Sequence, residues 1–254
     1  MKPSVCYLLV DVSNTFTKIA LATTRRLKAI HRIATAELTS QRLKATIVNW
    51  SFTHAVVASV VPSRNLAISS TLSTPILWVG PDANLGIGID YPHPKRIGAD
   101  RLANAVACRS LYKTPAIVVD FGTAVTFDVL SETGNYIGGV IVPGLTVFSE
   151  YLHQRTALLP LVRSLREPPS VLGKSNEEAI CSGAIIGYRG LIREITSQIC
   201  SEIFRDRPTP FVVATGGDAK IIGSHLSLFD VINLKLTLEG LRFIAMRGFK
   251  SEHG

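Results

Sequence analysis

Short apolar runs alternate with longer stretches in which apolar positions recur every three or four residues, a pattern that predicts a mixed α/β architecture. Strands are predicted at Tyr7–Asp11, Thr17–Ala22 and Leu27–Ile33, and a helix over Ser40–Trp50. A strand at Ala55–Ser59 ends at the Val61-Pro62-Ser63 break, and Ile76–Val79 reads as another. Arg101–Tyr112 has helical spacing, with Leu102, Ala105, Val106 and Leu111 on one side. Strand signals then restart at Ala116–Asp120, Val125–Leu130 and Tyr136–Val142. Glu177–Phe204 is predicted to be mostly helical, Phe211–Ala214 a strand and Thr237–Gly248 a closing helix.

The second half of this pattern repeats the first. Leu8-Leu9-Val10-Asp11-Val12-Ser13-Asn14-Thr15-Phe16-Thr17 lies over Ile117-Val118-Val119-Asp120-Phe121-Gly122-Thr123-Ala124-Val125-Thr126. Each is an apolar strand, an aspartate, a small residue two positions later, a polar turn and a second strand. Because each opens one half of the chain, they predict a duplicated domain whose lobes face each other across a cleft. No low-complexity linker separates the halves. The Lys113-Thr114-Pro115 turn is the expected boundary, giving an N-terminal lobe at 1–114 and a C-terminal lobe at 115–254.

Hydrophobic residues make up 46% of the 254 against 18% charged, enough for a core without disulfides or metals. The longest apolar stretches, Ala55–Val61, Pro115–Val119 and Phe211–Ala214, are too short to span a membrane. Met1–Val10 lacks the length and cleavage site of a signal peptide, so a cytoplasmic location is expected. Cys6, Cys108, Cys181 and Cys200 are scattered and read as free thiols. The net charge of +8 favours acidic partners, including phosphorylated metabolites. Its densest stretch, Arg25, Arg26, Lys28 and Arg32, alternates with apolar residues as a solvated strand face does, and no aromatic-rich basic motif of a nucleic-acid reader accompanies it.

An aspartate at a strand end followed by a small-residue turn sets a carboxylate beside backbone N–H groups and hydroxyls, a combination that holds magnesium and phosphate oxygens. In the first copy Asp11 would face the metal and Ser13, Asn14 and Thr15 the phosphates, with Lys18 adding charge. Asp120, Gly122 and Thr123 would do equivalent work in the second. One copy alone reads as a tight hairpin; the pair shifts the reading towards phosphate. Val212 to Ala219, with Gly216-Gly217, reads as strand, glycine turn and helix start, and Gly138 to Gly144 as a bend or a close approach. From Tyr91 to Arg101 runs a candidate acceptor site. There Asp100 would accept a hydroxyl proton and Arg101 bind a carboxylate, although an acidic residue at a helix start also serves the helix dipole alone. Walker, dinucleotide and His-Glu-x-x-His motifs are absent from the sequence.

Taken in order, DVSNTFTK, GADRLANAVA, DFGTAVTFD, GGVIVPG, SGA and TGGDA resemble type III pantothenate kinase, of the actin-like, acetate and sugar kinase superfamily. Leu238-Glu239-Gly240-Leu241 agrees as well. The resemblance implies two duplicated ribonuclease-H-like lobes with a cleft between them. It further implies ATP-dependent phosphorylation of pantothenate, the first step of coenzyme A synthesis, by a homodimer that needs magnesium and potassium or ammonium. By the same resemblance the ATP-binding residues are Asp11, Val12, Ser13, Asn14, Thr15, Phe16, Thr17, Lys18 and Thr123. The pantothenate-binding ones are Tyr91, Gly98, Ala99, Asp100, Arg101 and Asn176, with Asp100 as proton acceptor. Asp120 would hold the monovalent cation and Asp11 the magnesium.

Two positions depart from the family pattern. Ser13 replaces the usual turn glycine, which demands either a negative φ or a tolerated strain. Asn176 stands where the family usually has threonine, and is expected to hydrogen-bond and cap the following helix. The alternatives are another small-molecule kinase or phosphohydrolase of the superfamily, acting on a sugar or polyphosphate, or a non-catalytic regulatory protein like the Bvg accessory factors that the family resembles.

Overall fold

A computed structural model describes residues 6–249, so the first part of the Met1–Val10 segment lies outside the described residues. The chain divides into two compact units. The first holds the described residues up to Lys113, Thr133–Gly138 and those from Lys235 on; the second holds Thr114–Glu132 and Gly139–Leu234.

The first unit is built on five strands: β1 (Cys6–Val12), β2 (Phe16–Thr23), β3 (Leu27–Ala34), β4 (His54–Ser59) and β5 (Ile76–Trp78), in the order β3-β2-β1-β4-β5. β1 pairs antiparallel with β2 and β2 with β3, while β4 runs parallel to β1 and to β5. β1 is buried along nearly its whole length because both sheet faces are covered. Helices α1 (Ser40–Ile47) and α2 (Asn65–Ser69) contribute Leu43, Ile47 and Ile68 to a core with Leu8, Val10, Val12, Ile19 and Val57. Against the sheet pack α3 (Ala99–Leu111) and α7 (Leu236–Gly248), which bury Leu102, Val106, Leu241 and Ile244 completely. Burying each such side chain contributes about 1.5–3 kcal/mol. Leu111, expected on that face, is 40% exposed, because it ends the helix. The basic stretch lies on and before the edge strand β3, exposed to solvent, where charge guards an open edge, and the Arg32 guanidinium stacks on Phe16.

The second unit repeats this plan. Its sheet holds β6 (Ala116–Phe121), β7 (Ala124–Leu130), β8 (Tyr136–Pro143, of which Gly139–Pro143 belong to this unit), β9 (Phe211–Gly216) and β10 (Val231–Ile232) in the order β10-β9-β6-β7-β8, with β6 antiparallel to β7 and parallel to β9. β6 therefore corresponds to β1, β7 to β2 and β9 to β4. Helices α4 (Thr146–Arg155), α5 (Asn176–Ile203) and α6 (Ala219–Gly223) complete it. The closing helix α7, assigned by sequence to residues 115–254, instead packs in the first unit. Its Gly240 sits so close to Ala103 of α3 that a Cβ would collide with the Ala103 carbonyl.

Candidate active site

In the first unit, the hairpin between β1 and β2 gathers the phosphate-type residues. Asp11, 2% exposed, is held by two of them: Ser13 Oγ donates to its Oδ1 at 3.1 Å, and Lys18 Nζ lies 3.6 Å from its Oδ2. Asp11 and Lys18 are cross-strand partners in the β1–β2 register, which explains their approach. The turn itself is closed by Ser13 N–H to Phe16 C=O at 3.3 Å. Among the described residues every positive φ belongs to a glycine, so Ser13 takes the turn with negative φ and no strain. Asn14, Thr15 and Phe16 are exposed at the tip, whereas the side chains of Val12 and Thr17 are buried and leave only backbone for a ligand. Thr35 was not anticipated. Its Oγ1 donates to Ser13 C=O at 2.7 Å, its N–H donates to Thr15 C=O at 2.9 Å, and its hydroxyl meets that of Thr17 at 3.0 Å, so it braces the whole turn.

The predicted acceptor residues adjoin this hairpin through Val60. The Val60 N–H donates to Val12 C=O at 3.0 Å, and its Cγ1 lies 3.5 Å from where a Cβ on Gly98 would be. Gly98 caps α3 from outside, and the Asp100 carboxylate folds back so that its Oδ1 accepts the Arg101 N–H at 2.8 Å. A Cβ on Gly98 would stand 2.5 Å from that Oδ1. Arg101 lies over the ring of Tyr136, 5.8 Å from its centroid, and Tyr91 meets the same ring edge-on at 6.2 Å. Tyr136 is fully buried and fixed by backbone bonds from its N–H to Gly88 and from Asp90 to its own carbonyl. Tyr91, Gly98, Ala99, Asp100 and Arg101 thus come together around Val60 and Tyr136, neither of which stood out in the sequence, where each is one apolar residue of a strand or its flank.

The second unit holds the other aspartate turn. Asp120 sits on β6 in register with Thr126 of β7 and Thr215 of β9, and Gly122, Thr123 and Ala124 are exposed just beyond it. Gly144 packs directly on this turn: its N–H donates to Thr123 C=O at 3.0 Å, and a Cβ there would strike the Thr123 and Gly122 carbonyls. The Gly216-Gly217 turn approaches the same strand end. Gly216 has φ +94, and a Cβ on it would lie 2.5 Å from the Phe121 backbone, so glycine is required twice over. Asp218 follows, and burial pushes its carboxyl above the usual range, a perturbation common at functional sites.

Asn176 is exposed at the first position of α5 and does not cap it. That cap is Ser175, whose Oγ accepts the Glu178 N–H at 3.2 Å, while Glu178 Oε2 accepts the Lys174 N–H at 2.7 Å. The helix begins one residue earlier than a cap at Asn176 requires, because the serine hydroxyl is in place first.

Residues 7–198 match the model of one family, type III pantothenate kinase. The chain belongs to that family. A type III pantothenate kinase of Akkermansia muciniphila is 45% identical over 240 residues, covering 94% of this chain and 98% of its own. One from Methylacidiphilum infernorum is 42% identical over 237 residues, covering 93% and 87%. Among solved structures, a Campylobacter jejuni protein titled for the Baf family of transcriptional activators aligns with a TM-score of 0.61 at 17% identity, over 93% of this chain and 96% of that one. That likeness is one of fold. MreB 5 of Spiroplasma citri shares it too, with a TM-score of 0.52 at 10% identity over 95% of this chain and 96% of that one, so the two units have the fold of duplicated ribonuclease-H-like lobes.

Proposed function

We propose that this chain transfers the γ-phosphoryl group of ATP to the hydroxyl of pantothenate, giving 4'-phosphopantothenate for coenzyme A synthesis. The observation that carries this is the junction at Val60, which joins a hairpin bearing Asp11, Ser13 and Lys18 to a carboxylate–arginine pair at the start of α3. Family membership supplies the identity of the two substrates.

Asp100 is the proton acceptor. Its carboxylate, held by the Arg101 N–H, takes the proton from the pantothenate hydroxyl as that oxygen bonds to the γ-phosphorus and the bond to ADP breaks. Arg101 binds the pantothenate carboxylate, and its stacking on Tyr136 limits where the guanidinium can swing. Tyr91, Gly98 and Ala99 line the approach, and Asn176 offers a polar contact from α5. The backbone of Asp11 to Lys18, with Thr123, binds the phosphates of ATP. Lys18, partly exposed where Asp11 is buried, would pass from Asp11 to a phosphate oxygen.

Among the described residues no cluster of three or more carboxylates, histidines or cysteines surrounds a metal position. Magnesium is held by one or two carboxylates together with the phosphates themselves. Asp11 would hold it, and Asp120, a single carboxylate beside the Thr123 turn, fits a monovalent cation such as potassium or ammonium. Bound there, these ions supply charge neutralisation at the triphosphate.

The chain acts as a homodimer in the cytoplasm on this reading, and no described helix is long and apolar enough to cross a membrane. The test is ADP release by purified protein with ATP and magnesium, with and without pantothenate, and product mass by spectrometry. Repeating it with potassium, ammonium, sodium and a large organic cation tests Asp120. Pantothenate-independent ADP release, or none, would overturn the reading; equal rates in all four cations would remove Asp120 as the cation ligand.

A further inference from the structure

Tyr188 is a buried, titratable residue in the middle of α5 that takes no part in the proposed phosphoryl transfer. It is 1% exposed, yet its hydroxyl is satisfied: it donates to the Pro143 carbonyl at the end of β8. Phe148 of α4 meets its ring edge-on at 5.7 Å, which fixes the ring plane. The next residue after that carbonyl is Gly144, whose N–H donates to the Thr123 carbonyl at 3.0 Å and whose Cα faces the Gly122 and Thr123 carbonyls with no room for a side chain. An unbroken line of contacts therefore runs from the α5 phenol through Pro143 and Gly144 to the Gly122-Thr123 turn, all within the second unit.

We infer that Tyr188 is a positioning residue for the phosphate turn: its hydroxyl anchors Pro143-Gly144, and Gly144 in turn sets where the Thr123 backbone and hydroxyl meet the nucleotide. The inference rests on the assignment of Thr123 to ATP. A buried tyrosine that only filled space would be served as well by phenylalanine, which keeps the ring and its edge-on contact with Phe148. Burial, helped by the Asp218 carboxylate, pushes the Tyr188 phenol up to about 12, so it keeps its proton and remains a donor throughout the working pH range.

The experiment compares wild type, Tyr188→Phe and Gly144→Ala in calorimetric titrations with a non-hydrolysable ATP analogue and, separately, with pantothenate, alongside thermal melts and steady-state kinetics. Losing one neutral hydrogen bond is expected to weaken the analogue about 5-fold in Tyr188→Phe and to raise the KM for ATP in parallel. Pantothenate affinity and kcat are expected to stay within about 2-fold of wild type, a split that a general loss of stability would not produce. Gly144→Ala, which displaces the same turn from the other side, is expected to weaken the analogue at least as much. If Tyr188→Phe does not fold, Gly144→Ala decides alone. Unchanged analogue affinity in the folded variants, or an equal loss for both ligands, overturns the inference. If wild type binds the analogue but does not phosphorylate pantothenate, the proposed reaction fails while this comparison still reads out.

Discussion

Gly98 has ordinary backbone dihedrals, φ −58 and ψ 140, so space rather than conformational freedom keeps it glycine. Gly98→Ala is expected to push the Asp100 carboxylate aside. Because a displacement of about 1 Å can cost about 10²-fold in rate, kcat should fall steeply while ATP-analogue affinity holds. A rate near wild type would show that Asp100 moves at no cost. Asp100→Asn tests the same carboxylate chemically: loss of a general base is expected to lower kcat about 10²- to 10⁴-fold, with the analogue still bound. Asp218 poses a different question, because burial pushes its carboxyl above the usual range. A carboxyl whose folded pKa lies above its unfolded value contributes stability at low pH that is lost as pH rises through the folded pKa. At neutral pH the ionised group therefore burdens the fold. Asp218→Asn is expected to melt higher than wild type at pH 7, with the gap closing as pH falls below 3.8, and to lose activity. A lower melting temperature at pH 7 would mean that Asp218 is paired.

Between α4 and α5 runs a stretch without regular structure, fastened by side chains of the helices on either side. Ser149 Oγ accepts the Val162 N–H at 2.7 Å, Ser182 Oγ donates to Val171 C=O at 2.6 Å, and Arg189 grips Glu167 with two hydrogen bonds of 2.8 and 2.5 Å. Arg189 also donates to the Ile221 and Ile222 carbonyls, so it ties the stretch to α6. The bonds from Arg189 hold the Glu167 carboxyl below its usual 4.5. A depressed carboxyl stabilises above its unfolded pKa, and this is lost as pH falls through the folded value. Glu167→Gln is therefore expected to melt lower than wild type at neutral pH and to converge with it as pH drops below 4.5; a constant gap would assign the effect to packing. Little of this was legible in the sequence. The helix α4 is not legible in the sequence because Thr146, Val147, Phe148 and Tyr151 favour strands, and all four are exposed, which leaves no apolar face at helical spacing. The longer helices α3 and α5 were legible from a buried face that repeats with the helical period, and the central strands β1, β4 and β6 from short continuous apolar runs.

Both units carry strand orders that superimpose, and the sequence announced this because the strand–aspartate–turn–strand unit is local and was copied whole. The Asp11 and Asp120 turns were legible for the same reason. What local pattern could not reveal was where α7 goes. Its apolar face, Leu238, Leu241, Ile244 and Ala245, fits any buried surface, and the choice is made by long-range complementarity: Gly240 against Ala103 of α3, and Arg242 reaching the Thr24 carbonyl at 2.6 Å. The last segment of the chain thus completes the core of the unit that the first segment began. Gly240→Ala probes this directly, since the added methyl would drive α7 off the Ala103 carbonyl. Overpacking of this kind costs about 1–3 kcal/mol, and because it acts at one seam, its effect on local opening should be confined to the unit that owns the seam. Hydrogen exchange of the full-length variant is therefore expected to accelerate in β1, β4 and α3 while protection in β6, β7 and β9 stays at the wild-type level. Acceleration confined to β6, β7 and β9 would instead place α7 in the second unit, as the sequence boundary has it.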